Sequence, residues 1–174
     1  MKVLFRIITA LVAVVLFTSR SLVGASEKLP SFEEVITDPK SFSSGLPPKL
    51  LFTVVESPGQ DVRSAAAKAL KQIPNVTPLE IPKEWTPIAF VECKTPIFPL
   101  ADRREGISGS ADLLILVNVD GHVVRVLVTN STKPEFGKSA ANAAITWKLK
   151  PLMVKGHAAP FLAFLRVAFT INNG

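Results

Sequence analysis

The amino-acid sequence predicts an α+β fold in which a small antiparallel sheet packs on helices. Two apolar runs flank an Asp120-Gly121 dipeptide, an alanine-rich amphipathic helix follows them, and a long alternating strand closes the series. A strand–helix–strand segment precedes these elements. The 174 residues, 48% of them hydrophobic, are enough for one domain with a buried core and a short extension.

The first 25 residues are predicted to be a signal peptide. Lys2 and Arg6 precede an uncharged apolar run, residues 7–19, which is roughly 20 Å long as a helix. A bilayer core is about 30 Å thick, so this run is short for a membrane anchor. Small residues at positions 23–25 suit cleavage after Ala25. The alternative is that residues 1–25 are retained as an anchor.

The charge of the chain does not indicate a nucleic-acid partner. Residues 1–25 contribute three of the basic residues and no acid, which leaves 17 basic and 14 acidic residues and a net charge of +3. That bias is too mild for nucleic-acid binding. Cys93 is the only cysteine, so no internal disulfide can form, and its apolar neighbours predict a buried thiol.

The N-terminal half is predicted to contain an arm and a structured segment. Residues 26–48 are rich in serine and proline, which suggests a tether or a loosely packed arm. Residues 49–95 are predicted to form a strand over 49–56, a helix over 62–73 capped by Asp61, and a strand over 87–93. The alanine-rich stretch from Ser64 matches that from Ser139 at an offset of 75 residues. The segment is therefore either a degenerate half-copy of the C-terminal unit or an unrelated segment packed on the same core.

Residues 96–174 are predicted to form a unit of hairpin, helix and final strand. A short turn or helix over 99–104 comes first, and in the strand over 111–119 one face is wholly apolar and the other half so. This pattern suits a sheet covered by helices on one side. Asp120-Gly121 predicts a two-residue type I′ turn to the strand over 123–128. A helix over 136–147 then carries an apolar stripe ending in Trp147, which we expect to be buried between helix and sheet.

The final strand, residues 161–171, is predicted to lie at an edge of the sheet. Arg166 is its only charged residue and the strand has no internal proline. Little in its sequence would therefore prevent another strand from pairing with its free backbone N–H and C=O groups. An edge of this kind can accept another chain as an added strand.

No catalytic, metal or cofactor site is predicted. His122 and His157 each lack a second ligand at metal-binding spacing. The chain shows no nucleophile–base pair and no glycine-rich phosphate loop between a strand and a helix. We therefore predict that the protein is not an enzyme.

The order of features in the last third resembles the C-terminal domain of the TonB energy-transducer family. These features are Phe98-Pro99, the glycines at 106 and 109, the Asp120-Gly121 hairpin, the alanine-rich helix, and Gly156 and Pro160 before the last strand. In that family the last strand accepts the box segment of an outer-membrane transporter as an added strand. The resemblance thus implies a periplasmic protein of a Gram-negative bacterium that binds an extended peptide.

The resemblance also implies a partner-binding surface on the last strand, joined by Arg103 from the turn after Phe98-Pro99. Its strand residues are Phe161, Leu162, Phe164, Arg166, Ala168 and Thr170. Leu162 and Phe164 either bury a partner's side chains or pack in the core beneath the N-terminal half. Arg103 stands where a family member carries a glutamine that contacts the box region. The partner is a protein or peptide such as an outer-membrane transporter, or a second copy paired through the same edge.

Two departures from the family bear on energy transduction. The anchor-like segment lacks the histidine of a typical family anchor, and the long proline-rich spacer is missing. Residues 26–48 reach at most about 80 Å when extended. We therefore favour a protein-binding module; the alternative is a membrane-anchored energy transducer to outer-membrane transporters.

Overall fold

The computed structural model describes residues 34–36, 38–54, 60–80 and 89–171. The predicted signal peptide lies outside these ranges. In chain order the elements are β1 (Glu34–Ile36), α1 (Pro39–Ser43), β2 (Lys49–Val54), α2 (Gln60–Leu70), β3 (Thr77–Glu80), β4 (Phe90–Glu92), α3 (Leu100–Arg104), β5 (Gly109–Val117), β6 (Val123–Ser131), α4 (Pro134–Ala144), β7 (Lys148–Leu149), β8 (Leu152–Val154), β9 (His157–Ala159) and β10 (Phe161–Phe169). No helix within these ranges is long and apolar enough to cross a membrane.

The main sheet is mixed rather than purely antiparallel. Its strand order is β1-β6-β5-β10-β2-β3. The centre is the predicted antiparallel unit, with β5 between β6 and β10. The flanks are parallel: β1 pairs with β6, and β2 pairs with both β10 and β3. The helix α2 joins β2 to β3, because two parallel neighbours need a crossover connection.

Helices cover both faces of the sheet, which corrects the expectation of cover on one face. On the first face, α4 packs through Phe136, Ala140 and Ala144 on β5 and β6, and alternate residues of β10 belong to the same core. On the second face, Leu114 and Leu116 of β5 are fully buried beneath α1 and α2. The face of β5 that is only half apolar in sequence is therefore buried as well, and the helices that cover it belong to the N-terminal half of the chain.

The described part of the predicted arm is packed into this second face. Phe42 of α1 is fully buried and Ile36 of β1 is 6% exposed. Arg125 of β6 donates hydrogen bonds of 2.7 Å from Nη1 to the carbonyl oxygens of Phe42 and Ser44. A cation at the C-terminal end of a helix satisfies carbonyl groups that have no partner inside the helix. The prediction of a loosely packed arm is therefore wrong for these residues.

The strand–helix–strand prediction for the next segment is correct in part. The first strand and the helix form, but the helix begins at Gln60, so Asp61 lies in its first turn and is not its cap. The strand that follows in the sheet is β3, which the prediction missed because Pro78 suggested a break. The strand predicted over 87–93 is the shorter β4, and it pairs with β7 outside the main sheet. The half-copy interpretation stays a prediction.

The turn between β5 and β6 differs from the predicted type. Gly121 has φ +87°, but Asp120 has no positive φ, so the turn is not type I′. The Gly121 N–H donates to the Asn118 carbonyl oxygen at 3.1 Å, and Asn118 Oδ1 accepts from the N–H groups of Asp120 and His122. This pattern is a tight turn followed by a glycine bulge, which the asparagine side chain stabilises.

Two predictions about single side chains had opposite outcomes. Trp147 is 3% exposed and belongs to the core on the α4 face, as predicted. Its ring meets Phe90 edge-on at 5.4 Å, and Nε1 donates to the Lys94 carbonyl oxygen at 2.8 Å. Cys93 is exposed, so the prediction of a buried thiol is wrong. Its apolar neighbours Phe90 and Val91 lie in β4, a short strand of a two-stranded sheet, and Val91 is itself 53% exposed.

Candidate functional site

The first half of β10 is not at a sheet edge, which corrects the sequence-based prediction. Residues 161–164 pair with β5 on one side and with β2, in parallel, on the other. The strand that closes this edge comes from the N-terminal half of the same chain. Its pairing with β10 is invisible in the sequence, because nothing local to either strand specifies a neighbour so distant along the chain.

The side chains of this first half belong to the two cores. Phe161, Leu162 and Phe164 are all fully buried. Phe161 lies on the α4 face, whereas Leu162 and Phe164 lie on the face covered by α1 and α2. Of the two roles considered for Leu162 and Phe164, the structure supports core packing beneath the N-terminal half.

Arg166 is held by two carboxylates of its own chain. Its Nε and Nη2 atoms donate to the two carboxylate oxygens of Asp112 at 2.6 and 3.0 Å, and Nη1 donates to Asp61 at 2.7 Å. The Asp112 side chain is 4% exposed, against 71% for Asp61. The hydrogen bonds that Arg166 donates to Asp112, and to a lesser extent to Asp61, raise the pKa of Arg166. Arg166 therefore ties the sheet to the first turn of α2.

The second half of β10 remains partly open. The register with β2 ends at the pair of Phe164 and Val54. Beyond it, over residues 165–169, the only strand paired with β10 within the described ranges is β5. Ala168 and Thr170 are exposed there. We call residues 166–170, which are the last four residues of β10 and Thr170 after it, the open end of β10.

Arg103 lies at the same end of the sheet as the open end of β10. Phe169 pairs with Gly109, the first residue of β5, and the Ile171 N–H donates to Ser108 Oγ at 3.2 Å. The helix α3 enters β5 through these residues, and Arg103 is exposed in its last turn. Of the predicted surface, Arg103, Ala168 and Thr170 are thus exposed, whereas Phe161, Leu162 and Phe164 are buried.

The helix α3 is anchored by a short ion pair. Lys133, which precedes α4, donates from Nζ to Asp102, whose side chain is 5% exposed. The hydrogen bond with Asp102 raises the pKa of Lys133. Arg103 is therefore presented by a helix that is fixed to the rest of the domain. Sequence reasoning did not find the ion pairs of Asp61, Asp102 and Asp112, because their partners Arg166 and Lys133 are distant along the chain.

The described residues contain no cluster of three or more His, Cys, Asp or Glu side chains that could hold a metal ion. Within the described ranges, this end of the sheet offers strand backbone that pairs with β5 alone, two small exposed side chains and a cationic side chain. These groups can recognise an extended peptide by backbone pairing.

The fold defines an α+β domain with a helix-covered mixed sheet and one partly open strand. Residues 94–171 match the family model of the Gram-negative bacterial TonB protein C-terminal. The solution NMR structure of the Pseudomonas aeruginosa TonB C-terminal domain is similar, with 20% sequence identity and a TM-score of 0.45. That match covers 53% of this chain and 94% of the other. A search of curated proteins found no match.

Proposed function

We propose that this protein is a non-enzymatic protein-binding module of the Gram-negative periplasm, connected with outer-membrane transport. It recognises an extended segment of a partner protein at the open end of β10. The observation that carries the proposal is the difference between the two halves of the strand: within the described ranges β2 pairs with residues 161–164 alone, whereas Ala168 and Thr170 beyond them are exposed. The family of residues 94–171 supports the link to outer-membrane transport.

Side chains, rather than backbone pairing, supply the affinity of this site. Four backbone hydrogen bonds contribute about 4 kcal/mol, while ordering four peptide residues costs about 4–8 kcal/mol. Burying one large apolar side chain of the partner over Ala168 adds about 1.5–3 kcal/mol. A carboxylate near Arg103 adds a charge pair. The favoured partner segment therefore carries one large apolar residue and one acidic residue.

Binding along the first half of β10 would require β2 to leave. That movement would expose Leu50, Leu162 and Phe164, at about 1.5–3 kcal/mol each. The total, about 5–9 kcal/mol, exceeds what four backbone hydrogen bonds return. The same argument confines a homodimer built by strand pairing to the open end of β10.

An NMR titration tests this proposal. Synthetic peptides with the box segment of outer-membrane transporters are added to the labelled protein, and amide shifts are mapped. Shifts are expected at residues 166–170 and around Arg103, with none at residues 161–164. Ala168→Asp should weaken binding, whereas Asn130→Asp, an exposed control on β6, should not. No shift at the open end, or shifts at residues 161–164 with loss of β2, would overturn the proposal.

A membrane-anchored energy transducer is the alternative, and the family of residues 94–171 favours it. It differs from the module in keeping residues 1–25. The mass of the exported protein separates the two: a chain that starts at Ser26 has lost the anchor, and one that starts at Met1 has kept it.

A further inference from the structure

Three large apolar side chains are exposed along the segment over residues 91–100, and one of them, Ile97, lines a groove. Six large hydrophobic residues are exposed among the described ranges, and three of them lie here: Val91 at 53%, Ile97 at 82% and Leu100 at 60%. Single exposed apolar residues are ordinary, but a group of them marks an interaction surface. We call these three residues the apolar ridge.

A groove of about 540 Å³ lies between this segment and α4. One wall includes Lys94, Ile97 and Pro99, and the other includes Lys138, Ser139 and Asn142. The lining on the α4 side runs from Glu135 to Thr146, which is about 16 Å at 1.5 Å per residue. That length fits about five residues of extended chain.

The wall of the groove that residues 94–99 form is held in place by hydrogen bonds and ring contacts. The Lys94 carbonyl oxygen accepts from Trp147 Nε1 at 2.8 Å, and the Ile97 carbonyl oxygen accepts from Ser139 Oγ. The Phe98 ring lies 5.7 Å from Phe136 and 5.6 Å from Phe169, edge to face. Ile97 is thus presented to solvent by an anchored segment, so binding there costs little ordering of this chain.

The charges of the groove favour an acidic occupant. Lys94 and Lys138 stand on opposite walls, and neither forms an ion pair within 4.0 Å among the described residues. Glu135, at one end, is the only acidic residue of the lining. A carboxylate between the two lysines would gain two cationic neighbours, whereas a cationic segment would meet both of them unfavourably.

We propose that this groove binds a short acidic segment of a partner protein. About five extended residues lie along α4, with an apolar side chain against Ile97 and a carboxylate between Lys94 and Lys138. This surface lies outside β10 and needs no added strand, so it stands or falls independently of the open end of β10.

The test measures fluorescence anisotropy of a labelled six-residue peptide that alternates leucine and aspartate, with the full protein. It should bind at least tenfold more tightly than peptides with lysine for aspartate or serine for leucine. Ile97→Ser and Lys138→Glu should each weaken binding at least threefold. The matched controls Val119→Ser and Lys71→Glu, also exposed, should leave it unchanged. Thermal unfolding checks that the Ile97 variant keeps its fold, and Ala168→Asp should not affect this binding.

Three outcomes would overturn the proposal. The first is no measurable binding of the acidic peptide. The second is equal binding by the lysine peptide or by the Ile97 and Lys138 variants. The third is a dimer in sedimentation equilibrium that Ile97→Ser dissociates, which would assign the groove to a second copy of the chain.

Discussion

Arg166→Ala should destabilise the protein far more than an ordinary change on a strand surface. Truncation leaves the Asp112 carboxylate, 4% exposed, without the side chain that donates to both of its oxygens. Removing one partner of a buried ion pair costs about 3–5 kcal/mol, because the remaining charge is uncompensated. Arg166 itself is 30% exposed, so water can partly replace it. We therefore expect a loss of about 2–3 kcal/mol.

Urea unfolding followed by tryptophan fluorescence at neutral pH measures this loss. Asp61→Ala is the matched control: it removes the other carboxylate, which is 71% exposed, and should cost less than about 1 kcal/mol. A double-mutant cycle of Arg166→Ala with Asp112→Ala should show a coupling of at least about 1 kcal/mol. If the cycle is additive within about 0.3 kcal/mol, or if Arg166→Ala costs no more than Asp61→Ala, the role assigned to the buried pair of Arg166 and Asp112 is wrong.

Three further predictions concern the core, the hairpin and a helix cap. Trp147→Ala should cost about 3–5 kcal/mol in urea unfolding, and unchanged stability would refute its place in the core. Gly121→Ala should lower the free energy of unfolding much more than the control Gly156→Ala does. Both glycines have positive φ, but a Cβ at Gly121 would lie 2.0 Å from a backbone oxygen, whereas a Cβ at Gly156 would meet no atom within 4 Å. Asp38→Ala removes the carboxylate that accepts from the Ser41 N–H at 2.8 Å, a bond that lowers the pKa of Asp38. The charged carboxylate makes this bond, so its contribution to stability is present above the pKa of the unfolded chain and is lost as the pH falls through the lowered pKa of the folded protein. The melting temperature of Asp38→Ala should therefore lie below that of the wild type at neutral pH, and the difference should vanish in acid.

The hairpin, the long helix and the last strand of the final third were predictable because their signals are local. The turn chemistry around Gly121, the stripe on α4 and the alternation in β10 are each read within a few residues, and these elements formed close to their predicted bounds. The short strands β7, β8 and β9, which lie between α4 and β10, were not predicted. The α+β fold class and the burial of Trp147 were predicted from the same local patterns. The turn type did not, since it depended on the Asn118 side chain as well as on the glycine.

The neighbours of each element were decided by the tertiary structure. An alternating apolar strand has the same sequence at an edge as in the interior, so nothing in β10 revealed that β2 pairs with its first half. Arg166 shows the same limit: its carboxylate partners lie 54 and 105 residues away along the chain. The sequence by itself determined which residues of β10 share a face, because side chains alternate along any strand. Which of them are buried, and which are exposed at the open end, was decided by the pairing of β2 with the first half of the strand and by α1 and α2, which cover the second face.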